Sequence, residues 1–250
     1  MRITLLAPTL LAGLWFLVGC EAQVPPVSPP SYGEETDTAM VDPAAPASEP
    51  VQLAENLLAT NYLILLDNSG SMDSAECSNG RDKFSVAKEA IVSFVEALPR
   101  DSNVALMDFG HRGGNLLLPF ASVETVRAEI AAAMPGRTGG QGTPLKQSLW
   151  DATDYMSKQA ERQLWYGTYR LVIVTDGASG DGDPGSLAME VVEKKPIEIH
   201  AIGFCLGEGH SLELPGYTAY YSAMDPASLG AALESVKAEV ESFDGDFSEL

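Results

Sequence analysis

Three segments carry oxygen-bearing side chains whose spacing lets them converge on one point. The first is Asp67-Asn68-Ser69-Gly70-Ser71, which follows the apolar run Asn61-Tyr62-Leu63-Ile64-Leu65-Leu66. In an extended loop, residues 67, 69 and 71 project to one side, and Gly70 lets the backbone turn tightly. A carboxylate and two hydroxyls then face the same way. The second segment is Gly139-Gly140-Gln141-Gly142-Thr143-Pro144, glycine-rich and opening a helix; the third is Thr175-Asp176-Gly177, closing another apolar run. Oxygen-only donors suit a hard cation, and Mg²⁺ asks for near-octahedral geometry at about 2.0–2.1 Å while keeping some water. Each segment alone is a weak signal. A DxSxS string recurs by chance, an aspartate after a strand is commonly a cap, and Gly-Thr-Pro commonly starts a helix. Their conjunction carries the weight.

The elements that would position these oxygens alternate. Buried strands are expected at 61–66 and 170–175, each ending at an aspartate. Apolar residues at helical spacing from Phe84 to Leu98 predict a helix closed by Pro99. A strand pair at 104–109 and 116–120 joins through Gly110-His111-Arg112-Gly113-Gly114, and helices follow at 123–134 and 144–163, the latter with Pro144 in its first turn. A helix at 184–194, strands at 197–204 and 218–222, and a helix from 226 to about 240 complete the chain. This alternation predicts an α/β fold, a mostly parallel sheet covered on both faces. Ligands of such folds bind beyond the carboxyl ends of the strands, where Asp67 and Asp176 both stand.

Asp67-Ser69-Ser71 after a buried strand, Gly142-Thr143-Pro144 before a helix, and a strand ending in Thr175-Asp176-Gly177 resemble the metal-ion-dependent adhesion site of von Willebrand factor A domains. The resemblance covers about residues 57–240. Phe109-Gly110-His111-Arg112, Gly182-Asp183-Pro184 and Ala201-Ile202-Gly203-Phe204 are similar to one bacterial branch. It implies a doubly wound, Rossmann-like six-stranded sheet of order 3-2-1-4-5-6 with one antiparallel edge strand. It also implies that Ser69, Ser71 and, in the liganded form, Thr143 touch the metal, with Asp67 and Asp176 acting mostly through water. The implied cofactor is Mg²⁺, with Mn²⁺ or Ca²⁺ as alternatives, and the implied partner is a protein offering a Glu or Asp to the metal.

The amino terminus reads as an address. Arg2 precedes an apolar stretch too short to span a bilayer, which needs about 20 residues, and Leu17-Val18-Gly19-Cys20 resembles the lipobox of bacterial lipoproteins. The expectation is a signal peptide at 1–19, a lipidated Cys20, and a tether to residue 56 rich in Pro, Ala and acids, unable to bury enough surface to order itself. Several acyl chains hold a protein to a membrane where one would not. This places the chain in the bacterial envelope; inner and outer membrane, periplasmic and surface-facing, fit equally. The net charge of −20 concentrates at the flanks. Residues 21–60 hold seven acids and no base, 239–250 five and none, while 61–238 hold 23 acids against 14 bases. With no Lys or Arg cluster, a nucleic-acid surface is excluded. Residues 241–250 are an acidic tail.

In an oxidising envelope Cys77 and Cys205 are candidates for a disulfide. The implied sheet order leaves one strand between them, about 10 Å. A bridge therefore requires the segment 73–76 to lean across the site; two free thiols are the alternative. His111 and His210 fall in loops at the carboxyl end, His200 within a strand, and Asp108 within an apolar strand near the site, where a hydrogen-bonding role is expected. The rival reading is a Mg²⁺-dependent hydrolase or phosphotransferase on a similar fold. Families of that kind want a second aspartate where Ser69 stands, and neither serine has an evident activating base in the sequence.

Overall fold

A computed structural model describes residues 51–110, 112–134 and 142–238. Cys20, the stretch 1–19, the tether up to residue 50, His111, Gly139-Gly140-Gln141 and the tail 241–250 lie outside the described residues. Twelve elements follow in order: β1 (Thr60–Asp67), a short 3-10 turn (Gly70–Asp73), α1 (Lys83–Ala97), β2 (Asn103–Phe109), β3 (Gly114–Ser122), α2 (Val123–Ala133), α3 (Leu145–Arg162), β4 (Thr168–Thr175), α4 (Gly185–Lys194), β5 (Ile197–Phe204), β6 (Thr218–Ala223) and α5 (Pro226–Ala238).

The sheet order is β3-β2-β1-β4-β5-β6, as the resemblance implies. Only β2 and β3 run antiparallel; β1 lies at the centre, paired in parallel with both β2 and β4. Successive side chains on a strand point to opposite faces, and β1 shows it. Tyr62, Ile64 and Leu66 join a core with Phe84, Ile91 and Phe94 of α1, Val126 and Ile130 of α2, and Leu229 and Leu233 of α5. Leu63 and Leu65 join a second core with Leu145, Leu149 and Met156 of α3 and Val191 of α4. Burial on both faces explains why 62–66 is a continuous apolar run instead of an alternating one.

Boundaries follow local chemistry. Asp82 caps α1 by accepting from the Ser85 amide at 2.7 Å, and Ser122 caps α2 through Thr125. Helix α3 starts after Pro144 with no cap of its own. Its first amides are instead met by Asp181, from the loop after β4, which accepts from Lys146 and Gln147 at 3.0 and 2.8 Å. Composition assigns residues 52–56 to the tether, yet they are bound to the domain: the Gln52 and Asn56 carbonyls accept from Arg162 and Gln163, and Ala54 N–H donates to the Arg162 carbonyl. Among the described residues no helix is long and apolar enough to cross a membrane.

Candidate metal centre

The carboxyl ends of β1 and β4 lie side by side, with Leu66 level with Val174, so Asp67 and the Thr175-Asp176 pair come together just beyond. Asp67 is fully buried. One of its oxygens accepts from the Ser69 amide at 2.8 Å, curling the loop, and the other from the Thr175 hydroxyl at 2.6 Å. Burial pushes the Asp67 carboxyl up to about 6, although the bonds from Thr175 and Ser69 oppose the shift. The Ser69 and Ser71 hydroxyl oxygens are 3.0 Å apart, and the Ser71 hydroxyl donates to Asp176 Oδ1 at 2.6 Å. Asp67 and Ser69 thus form a buried floor, and the exposed Ser71 forms the opening.

The Thr143 segment is held by the loop after β4, where Gly180 N–H donates to the Thr143 carbonyl at 2.7 Å. A methyl group added at Gly177 would sit 3.4 Å from Thr143 Oγ1 and 3.9 Å from Ser71 Oγ, so both hydroxyls border the same small space. All five predicted oxygens, from segments far apart in sequence, are gathered at one end of the sheet. Gly110 makes room for this: a Cβ there would stand 2.5 Å from the Asn68 carbonyl oxygen. Behind the loop, Asp108 accepts from Asn68 at 2.9 Å and Asn115 at 3.1 Å, the hydrogen-bonding role expected of it.

The donor set fits a hard divalent cation. Adjacent ligands of an octahedral ion at 2.0–2.1 Å lie about 2.9 Å apart, close to the Ser69–Ser71 spacing of 3.0 Å. Among the described residues no three His, Cys, Asp or Glu side chains gather as a metal site. The set here is two carboxylates completed by hydroxyls.

Two further residues stand at the site, Lys83, for which the sequence gives no signal, and His210, which the sequence places in a loop at this end of the sheet. Lys83, the first residue of α1, is 5% exposed and donates to Asp176 Oδ2 at 2.9 Å. His210 puts Nε2 3.2 Å from the Gly177 carbonyl and stacks on Tyr220 with ring centroids 5.7 Å apart; burial lowers its basicity. His200, by contrast, is buried in β5 beside Glu198, away from the oxygens. Cys77 and Cys205 are joined by a disulfide with Cα atoms 5.7 Å apart, each in a left-handed backbone conformation. The bridge ties the segment after the 3-10 turn to the end of β5, across β4.

Residues 62–178 match the sequence model of the von Willebrand factor type A domain. YwmD of Bacillus subtilis (strain 168), an uncharacterized protein, is 39% identical over 174 residues, covering 63% of this chain and 73% of its own. The chain belongs to the von Willebrand factor type A family. Solved structures agree in fold. The von Willebrand factor type A protein from Catenulispora acidiphila superimposes with a TM-score of 0.57 at 18% identity, over 72% of this chain and 42% of that one. The pilus adhesin SpaC from Lactobacillus rhamnosus GG gives 0.60 at 14% identity, over 76% of this chain and 31% of its own. The chain thus spans less than half the length of these two structures.

Proposed function

We propose that this chain is a lipid-anchored protein of the bacterial envelope whose VWA domain binds a protein partner through a divalent ion. The observation that carries this reading is the convergence of Ser69, Ser71 and Asp176 oxygens at 2.6–3.0 Å, with the Thr143 hydroxyl beside them. Asp67 shapes the loop from below, Ser69 and Ser71 supply neutral oxygens, Thr143 borders the same space, and Asp176 accepts from Ser71. The bound ion, Mg²⁺ with Mn²⁺ or Ca²⁺ as alternatives, supplies an electron-poor position that a partner's Glu or Asp completes. The domain is mildly acidic, and such a partner would otherwise be repelled. Cys20 is the lipid attachment, and the acidic, proline-rich segment after it is the leash. A pilus adhesin among the structural neighbours supports an adhesive or scaffolding role over an enzymatic one.

The test is capture of partners from envelope extract by the purified chain, with and without chelator. Chelator, Asp67→Ala and Thr143→Ala are each expected to abolish Mg²⁺-dependent capture while the fold, followed by circular dichroism, persists. Capture that survives chelator unchanged overturns the metal bridge. Release of phosphate from a generic ester, lost in Asp67→Asn, would restore the hydrolase reading.

A further inference from the structure

Lys83 stands in an electrostatically unfavourable place. The start of a helix carries positive partial charge, so a cation belongs at the other end. A lysine is also among the residues least often buried. Here the lysine side chain is 6% exposed and its acceptor, the Asp176 carboxylate, is wholly buried. The pair therefore needs each other, since breaking a buried ion pair leaves an uncompensated charge. Asp176 is also not a bystander: its second oxygen takes the Ser71 hydroxyl. One carboxylate thus links an internal cation to the oxygen set proposed to hold an external one.

Charge arithmetic gives the consequence. Within the oxygen set itself, with Asp108 set apart behind Asn68, Asp67 and Asp176 bring two negative charges and Lys83 one positive, leaving the set at about −1. A divalent ion then takes it to about +1, and a single carboxylate from a partner brings it to neutrality. Without the lysine charge, the ion alone would neutralise the site and a partner's carboxylate would overshoot.

Resting on the metal reading above, we propose that Lys83 is a positioning residue that competes with the ion for Asp176. It keeps the site's affinity for a cation alone low and its affinity for a carboxylate, once the ion is present, high. Cation and acidic partner therefore enter as a coupled pair, and a singly charged carboxylate is the ligand class that balances the site. By linkage, each strengthens the other's binding by the same factor.

The experiment titrates the purified chain with Mn²⁺ alone, read by electron paramagnetic resonance of the free ion. Acetate is then titrated against the Mn²⁺-saturated chain, read by water-proton relaxation. Lys83→Gln removes the charge and keeps a hydrogen-bond donor toward Asp176; Lys83→Met removes both; Lys83→Arg retains the charge. The expected result is Mn²⁺ binding at least about tenfold tighter in Lys83→Gln, from loss of a like charge at close range, with weaker acetate binding. Lys83→Arg should stay near the parent. If Lys83→Met does not fold, Lys83→Gln decides. Unchanged or weaker Mn²⁺ binding in a folded Lys83→Gln chain overturns the proposal while leaving the metal reading intact. Absence of Mn²⁺ binding in every variant, parent included, overturns both.

Discussion

The two ends of β1 solve the same problem with opposite chemistry. At the amino end, Asn61 is fully buried and sits in a neutral amide network. Its amide donates to the Gln163 side chain at 2.6 Å and to the Ala59 and Thr168 carbonyls at 2.8 and 3.1 Å. Its oxygen accepts from Asn103 at 3.1 Å and Gln159 at 3.2 Å. At the carboxyl end, six residues on, Asp67 is equally buried but is surrounded by hydroxyls, a second carboxylate and one lysine. Both networks are hydrogen-bonded. The amide network is electrically closed, while the carboxylate network carries an excess of negative charge. A buried polar group that is neutral and satisfied fixes a fold; one that retains charge at a rim has capacity left for a ligand.

The strap between Cys77 and Cys205 belongs to the charged end, and its removal is the largest expected break in this contrast. It closes a loop of 128 residues, so Cys77→Ser/Cys205→Ser should cost about 4 kcal/mol in chemical denaturation. A loss under about 1 kcal/mol would mean that other contacts secure the charged end. Next, Asn61→Ala should cost about 3 kcal/mol, because it strands several buried partners at once, and should leave Mn²⁺ affinity unchanged. Equal loss of stability in Asp67→Asn under chelator would erase the distinction between the two ends.

The smallest effect is a pH dependence confined to the charged end. A carboxyl held above its unfolded value favours the folded state while protonated. Its contribution is complete below the unfolded value near 3.8 and is lost as pH rises through about 6. Under chelator, stability from Asp67 should therefore rise by on the order of 1 kcal/mol between pH 7 and pH 5. His210, with lowered basicity, opposes this in the same window. The difference between the parent and Asp67→Asn isolates the carboxyl, and no difference would remove it as the cause.

Much of the fold and of the oxygen set is legible in the sequence. The apolar runs ending at Asp67 and Asp176 betray strands buried on both faces, and the hydroxyls follow them locally, so the residues themselves point to the site. Lys83 gives no such signal. At the first position of an amphipathic helix a lysine reads as solvated, and only the packing of α1 against the sheet brings it to Asp176. Asp181 is hidden for the same reason: it supplies its carboxylate to a helix that begins 36 residues earlier. Asn61 reads as the polar edge of an apolar strand, because most of its partners come from three other segments. Sequence patterns register what an element needs for itself, and these residues serve elements other than their own.

The placement of β1 has a mechanical consequence. The residues leading into it are fastened to the end of α3, and its far end carries the oxygens, so one strand connects the point where the chain enters the domain to the proposed point of attachment. Tension between the two would run lengthwise along β1. Its hydrogen bonds to β2 and β4 would then be loaded together in shear instead of opening one by one, the arrangement in which a sheet resists a pull best.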